Sequence, residues 1–243
     1  MEKNVKIKTP DKHTIYGTLT TSKNQSLILI IFVHGLTGFK NEHQFFNGAK
    51  FFAAHGFNVF RFDLYSGEKG GRWLRDTSIS IHTKDLDAVV KSFKKKFKKI
   101  FVIGHSLGGL TILNSDLANV DGVVLWDSST NNWPKFKNFF KFKKNLKGFL
   151  MNWGMEYVIG KKMYDELMLI SAPKELIAKI NKPIKIIVAG NGGLKKAGAE
   201  YFRYAKPPKE FAIIAGAGHT FDEEGVEEKL FQSTFDFLKR INR

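Results

Sequence analysis

Cysteine is absent from the 243-residue chain. Without thiols there are neither disulfides nor thiolate metal sites, a usage that suits a reducing interior. Long apolar runs are missing as well. The longest clean one, Leu27–Val33, falls far short of the roughly 20 residues a helix needs to cross a bilayer. Met1-Glu2-Lys3-Asn4 opens onto no apolar signal segment. The expected location is therefore cytoplasmic, although an exported mature chain would share these features. Internal repeats and linker-like stretches are lacking, so one large α/β domain is the expected organisation. Acidic residues are few: 23 against 39 Lys and Arg, a formal net charge of +16. Much of the excess sits in Lys91–Lys99 and Lys135–Lys147. Such a field favours nucleic acid, anionic membrane or acidic substrates, but it also arises where Lys merely solvates helix faces. No compact RNA- or DNA-reading motif accompanies it, so no specific nucleic-acid partner is expected.

What the chain has in quantity is apolar and aromatic residues, 43% and 14% of the total, with Phe occurring 23 times. Their order predicts alternating strands and helices. Val5–Ile7 and Ile15–Thr20 read as a leading hairpin, and Leu27–Val33 as a strand buried on both faces. Phe45–Ala54 has helical spacing and stops at His55-Gly56; Phe57–Phe62 is the next strand. Asp76–Phe97 is a helix with Ile81, Leu86, Val89, Val90, Phe93 and Phe97 on one face. Strands follow at Ile100–Ile103, Gly122–Leu125, Ile184–Ala189 and Phe211–Ile214, then a closing helix at Glu224–Ile241. This alternation predicts an α/β fold: a mostly parallel sheet of about eight strands with helices on both faces.

Nearly sixty residues between Leu125 and Ile184 interrupt the pattern. Phe136, Phe139, Phe140, Leu146, Leu150 and Trp153 recur at about helical spacing there, with Lys opposite. An excursion this long in a compact domain is usually functional. It reads as a helical cap, residues 128–182, inserted between core segments 1–127 and 183–243. The cap would lie over the strand ends where α/β sheets place ligands. Phe136, Phe139, Phe140, Trp153 and Tyr164 are its candidate pocket-lining residues.

Ile103-Gly104-His105-Ser106-Leu107-Gly108-Gly109 contains G-x-S-x-G between a strand-like run and the helix-compatible run Leu107–Leu117. That context lets the turn lift a serine hydroxyl clear of the sheet. Ser106 is the candidate nucleophile. A serine needs a base. Of seven His, His219 follows the last strand in Ala215-Gly216-Ala217-Gly218-His219, and in the order of such sites the base comes last. His105 would point away from the site, His34 shapes a loop, and His13, His43, His55 and His82 carry no partner signature. The backbone N–H groups of Leu107 and, by position in His34-Gly35-Leu36-Thr37-Gly38, Leu36 are the candidate oxyanion donors.

These segments, with Phe32-Val33, Arg61-Phe62-Asp63 and Gly218-His219, resemble the α/β-hydrolase fold. His34–Glu42 and Thr77–Leu86 resemble more narrowly the small microbial esterases that include feruloyl (cinnamoyl) esterases. The resemblance covers about residues 1–127 and 183–243 and fades in the cap. It implies a serine carboxylesterase and does not fix the substrate; the leading reading is an esterase for small to medium acyl or aryl esters, with no cofactor or metal. Lipase, thioesterase and peptidase variants share the machinery. The expected partner is a small-molecule ester; the Lys face of the cap offers weak contact with anionic membrane, and the expected state is monomer or homodimer. One departure stands out. Those esterases carry the triad acid after the strand Ile184–Ala189, where this chain reads Gly190-Asn191-Gly192-Gly193-Leu194; Gly193 takes the acid's place. Either Asp127, at the end of the neighbouring strand, has taken the role; or Asn191, Glu200 or Asp222 serves; or the triad is incomplete and the protein a weak or non-catalytic binding module. The first is favoured, because the glycines leave room for a displaced carboxylate. Asp222 otherwise reads as a cap of the last helix.

Overall fold

The computed structural model describes residues 1–24 and 26–242. The chain begins with β1 (Glu2–Lys8) and β2 (Thr14–Thr20), an antiparallel hairpin. It continues as β3 (Ile28–Val33), α1 (His43–Ala54), β4 (Asn58–Phe62), α2 (Ile79–Phe93), β5 (Lys99–His105), α3 (Leu107–Leu113) and β6 (Gly122–Trp126). The insertion holds β7 (Phe140–Lys143), β8 (Gly148–Asn152), β9 (Glu156–Ile159), α4 (Lys161–Met168) and α5 (Pro173–Ile177). Then come β10 (Ile184–Ala189), α6 (Lys195–Tyr204), β11 (Lys209–Ile214) and α7 (Val226–Ile241). Eight strands make the main sheet in the order β1-β2-β4-β3-β5-β6-β10-β11. From β4 to β11 every neighbouring pair is parallel.

Both sheet faces are apolar, which explains why β3 reads as an unbroken run rather than an alternation. Leu29, Ile31 and Val33 face one side, with Val102, Leu125 and Ile186, against α2, α3 and α6. Ile30 and Phe32 face the other, with Ile103, Val124 and Trp126, against α1 and α7. α2 begins later than its apolar pattern, because the Ser78 side chain accepts the Ile81 N–H and fixes the first turn. α7 carries Glu227 and Glu228 in its first turn and Lys239 and Arg240 in its last, matching the helix dipole at both ends. Asp222 does not cap it. The helix starts after Gly225, whose φ of +70° ends the preceding loop, and Asp222 accepts instead from Thr220 Oγ1.

The insertion differs from the expected helical cap. A 3-10 helix at Trp133–Phe139 leads into a three-stranded antiparallel sheet, β7-β8-β9, and only then into α4 and α5. One fact of the sequence and one of the structure account for strands here. Phe140-Lys141-Phe142-Lys143 alternates with period 2 as well as fitting a helical face. Gly148 lies where β8 meets β9 so closely that a Cβ would stand 2.6 Å from the Ile159 carbonyl oxygen. Among the described residues no helix is long and apolar enough to cross a membrane.

Candidate active site

The parallel strands end at one edge of the sheet, and the loops that follow β3, β5, β6, β10 and β11 gather there. This is where open α/β sheets place their ligands. Between β5 and α3 the chain turns through Ser106 alone, at φ +53° and ψ −119°. A non-glycine residue there is strained and is held by its surroundings. Close packing on both flanks holds it. A Cβ on Gly108 would lie 2.1 Å from the Val33 carbonyl oxygen, and one on Gly104 would lie 2.6 Å from the Gly108 backbone. α3 therefore seats directly on the end of β3, and the serine is pushed out of the sheet. Positive φ recurs around the site: Thr37, Asp127 and Phe221 share it, three of the five other non-glycine residues so placed among those described.

The structure brings Ser106, His219 and Asp127 into one hydrogen-bonded chain. Ser106 Oγ lies 3.0 Å from His219 Nε2. His219 Nδ1 lies 2.6 Å from Asp127 Oδ2. With Nδ1 protonated and donating to the carboxylate, Nε2 is left to accept the serine proton. Asp127 is fully buried. Its other oxygen, Oδ1, accepts the Ala189 N–H at 3.1 Å, and its own N–H donates to the Ile187 carbonyl at 2.7 Å. The carboxylate thus bridges the ends of β6 and β10. A Cβ on Gly192 would stand 3.1 Å from Asp127 Oδ2, whereas one on Gly193 meets nothing within 4 Å. Gly192, rather than Gly193, is the glycine that gives this carboxylate room.

Among the described residues the other candidates for the acid make no hydrogen bond to the imidazole. Asn191 Nδ2 donates to the Gly216 carbonyl and its backbone N–H to the Ala217 carbonyl, so it ties down the loop that carries His219. Glu200 is exposed on α6. His105, expected to point away from the site, is among the residues lining the cavity and braces His219. Its Nε2–H donates to the His219 carbonyl at 2.7 Å, and the two rings lie 4.7 Å apart. Burial holds the His105 pKa down to about 3, so the ring stays neutral in this post.

The loop after β3 is fixed by the end of β4. His34 Nε2 accepts the Leu64 N–H at 2.9 Å while Nδ1 donates to the Gly35 carbonyl at 2.8 Å. Asp63 accepts from the Lys40 backbone and pairs with its ammonium at 2.5 Å. Leu36 lies in this anchored loop on the cavity wall. Leu107 opens α3, where a backbone N–H has no partner within its own helix.

A cavity of about 580 Å³ opens over Ser106. Phe136, Phe139 and Trp153 of the cap line it together with Trp133. Phe140 and Tyr164 do not. Phe140 is buried against Trp133 and Tyr164, and Tyr164 stacks on Phe149 at 3.8 Å. Both hold the small sheet to α4, because Phe140 sits on the inner face of β7. Among the cavity residues that sequence reasoning passed over are Trp133, Ser129 and Glu42. Ser129 Oγ lies 3.2 Å from Ser106 Oγ; it follows the acid in Asp127-Ser128-Ser129, a local signal that was available. Glu42 also lines the cavity, with one carboxyl oxygen buried and without a partner among the described residues. Desolvation raises its pKa to about 7.

Comparison with known proteins joins this geometry to a family. The model of the alpha/beta hydrolase family matches residues 30–228. The chain belongs to the alpha/beta hydrolase family. None of the curated proteins matches its sequence. Solved α/β hydrolases share its architecture from end to end. Est1E from Butyrivibrio proteoclasticus with ferulic acid bound superposes with a TM-score of 0.83 at 18% identity, covering 98% of this chain and 100% of that one. The esterase domain of a Rhodothermus marinus protein gives 0.77 at 18%, covering 99% and 98%. A Pyrococcus furiosus esterase gives 0.74 at 23%, covering 100% and 91%. At these identities the likeness is one of fold.

Proposed function

We propose that this α/β hydrolase is a serine carboxylesterase that cleaves small to medium acyl or aryl esters through an acyl-enzyme. The observation that carries the proposal is the Ser106–His219–Asp127 chain of hydrogen bonds, at 3.0 and 2.6 Å. In this reading Ser106 Oγ attacks the ester carbonyl carbon as His219 Nε2 takes its proton. The N–H groups of Leu36 and Leu107 receive the oxyanion. Collapse of the tetrahedral intermediate expels the alcohol, which leaves with the proton from His219. Water, deprotonated by the same nitrogen, then releases the acid. Asp127 holds the imidazole in the required tautomer and stabilises its cationic form. Every step uses groups of the chain itself.

The cavity supports an apolar or aromatic substituent, since Trp133, Phe136, Phe139 and Trp153 form one wall of it. Ferulic acid bound to a protein of the same fold is in keeping with an aryl acid. Turnover of p-nitrophenyl esters of increasing chain length, measured beside methyl ferulate, tests the proposal. Hydrolysis of at least one ester, abolished in Ser106→Ala, is expected. A pure, folded protein that turns over none of them would return the chain to the class of non-catalytic binding modules.

A further inference from the structure

From Asn131 to Met155 the chain carries six lysines and no aspartate or glutamate. The same span holds five of the eleven large apolar side chains exposed among the described residues: Phe136, Phe139, Phe142, Trp153 and Met155, at 42 to 63% exposure. Exposed apolar residues scattered singly need no cause, but a clustered set does. Phe136 and Phe139 lie 6.0 Å apart in the 3-10 helix that also carries Lys135 and Lys137. Trp153 and Met155 flank Gly154, at φ +84°, in the turn between β8 and β9, closed by the Trp153 N–H donating to the Met155 carbonyl. Phe136, Phe139 and Trp153 also line the cavity over Ser106. Three of the five exposed apolar residues thus sit at the mouth of the site, with Met155 two residues from Trp153 in the same turn.

We propose that this rim is a docking surface for an anionic lipid bilayer. Aromatic side chains at a hairpin tip bury their rings at the headgroup boundary, and lysines whose stems lie along apolar surface place their ammonium groups at lipid phosphates. The unbroken positive charge of the span supplies the complementarity. Lysines beside aromatic rings can also hold single-stranded nucleic acid by stacking. Met155 offers no stacking face, however, and behind the rim lies an aromatic-walled cavity. Both match acyl chains better than a phosphate backbone. Docking does not rest on the esterase reading, so the test uses no ester.

The full chain would be sedimented with vesicles of phosphatidylcholine alone and with vesicles containing phosphatidylglycerol, at about 0.1 M salt. Binding to the anionic vesicles only is expected, weakening as salt rises. Replacing Lys135, Lys137 and Lys141 by Gln should weaken it roughly a hundredfold, at the usual contribution of one lysine near a charged bilayer. Trp153→Ala with Met155→Ala should weaken it roughly tenfold by loss of apolar insertion, without lowering Tm. No binding to anionic vesicles overturns the proposal. So does binding that the lysine changes abolish and the Trp153 and Met155 changes leave intact, which is diffuse electrostatic adhesion. Tighter binding of a single-stranded oligonucleotide through the same residues would assign the surface to nucleic acid instead.

Discussion

Asp127 carries more of the site than any other single side chain. It is buried, positively twisted in φ, bonded to β10 through one oxygen and 2.6 Å from His219 through the other. Asp127→Asn keeps the shape and loses the charge that, in the proposed mechanism, fixes the imidazole. Turnover should fall by roughly 10⁴-fold, the loss known for a serine-protease acid, with Tm little changed; a variant within threefold of wild type would remove Asp127 from the machinery. The two neighbouring glycines give a finer test. Gly192→Ala sets a methyl 3.1 Å from the Asp127 carboxylate and Gly193→Ala sets one in open space. The first should slow turnover roughly tenfold by displacing the acid, and the second should leave it unchanged; equal effects in steady-state assays would contradict this placement. Glu42 is an independent residue-scale case. Its pKa of about 7 exceeds the ordinary 4.5 because burial disfavours the anion. The folded state then binds more protons than the unfolded one between these values, and stability falls as pH rises through that window. Glu42→Gln should remove the loss, worth on the order of 1–3 kcal/mol at pH 8 once solvent screening is allowed for. Urea unfolding at pH 5 and pH 8 measures it, and an equal loss in both proteins would refute the assignment.

Strands and helices of the core were legible because the strands are short unbroken apolar runs and the helices carry one dominant period. β3, β5 and β10 are apolar on both faces, and α2 and α7 carry a single apolar stripe. α6 escaped notice because it buries only Gly198 and Tyr201, too few positions to set a stripe. The cap was legible as an insertion and not as a β element, since Phe140-Lys141-Phe142-Lys143 satisfies two periods at once. What decides between them is non-local: the closeness of β8 to β9 at Gly148, and the packing of Phe140 and Phe149 on Tyr164. The same non-locality separates Phe140 and Tyr164 from the true lining residues. Phe136→Ala, Phe139→Ala and Trp153→Ala should shift chain-length preference among p-nitrophenyl esters several-fold while changing acetate turnover little. Phe140→Ala should act on stability instead, costing about 3 kcal/mol or more as a buried aromatic. Unchanged preference across the first three would take the cap away from the substrate.

Across the whole molecule, three histidines are buried neutral: His34, His82 and His105, the last two with pKa values lowered to about 3 by desolvation. Their unfolded forms take up protons below about pH 6.5. The unfolded state binds more protons than the folded one from there down, so stability is present above that pH and is lost as pH falls toward 3. His82 is the clearest contributor, for neither ring nitrogen has a partner among the described residues. His82→Leu should lose less stability than wild type between pH 7 and pH 5, by up to about 2 kcal/mol; identical losses in denaturant melts would acquit His82. The triad geometry itself spans the molecule, joining β5, β6 and the loop after β11, and only folding brings these segments together. The proposed nucleophile and base are readable from the order of motifs, but the place of the proposed acid depends on which strand end lies beside β10, a fact of sheet topology. The most direct test is the reaction of the protein with a fluorophosphonate probe, followed by mass spectrometry of the adduct. One adduct per chain, on Ser106, forming in wild type and slowed by orders of magnitude in Asp127→Asn, is the predicted result. An unreactive Ser106, or an adduct on Ser129 in its place, would contradict the central claim.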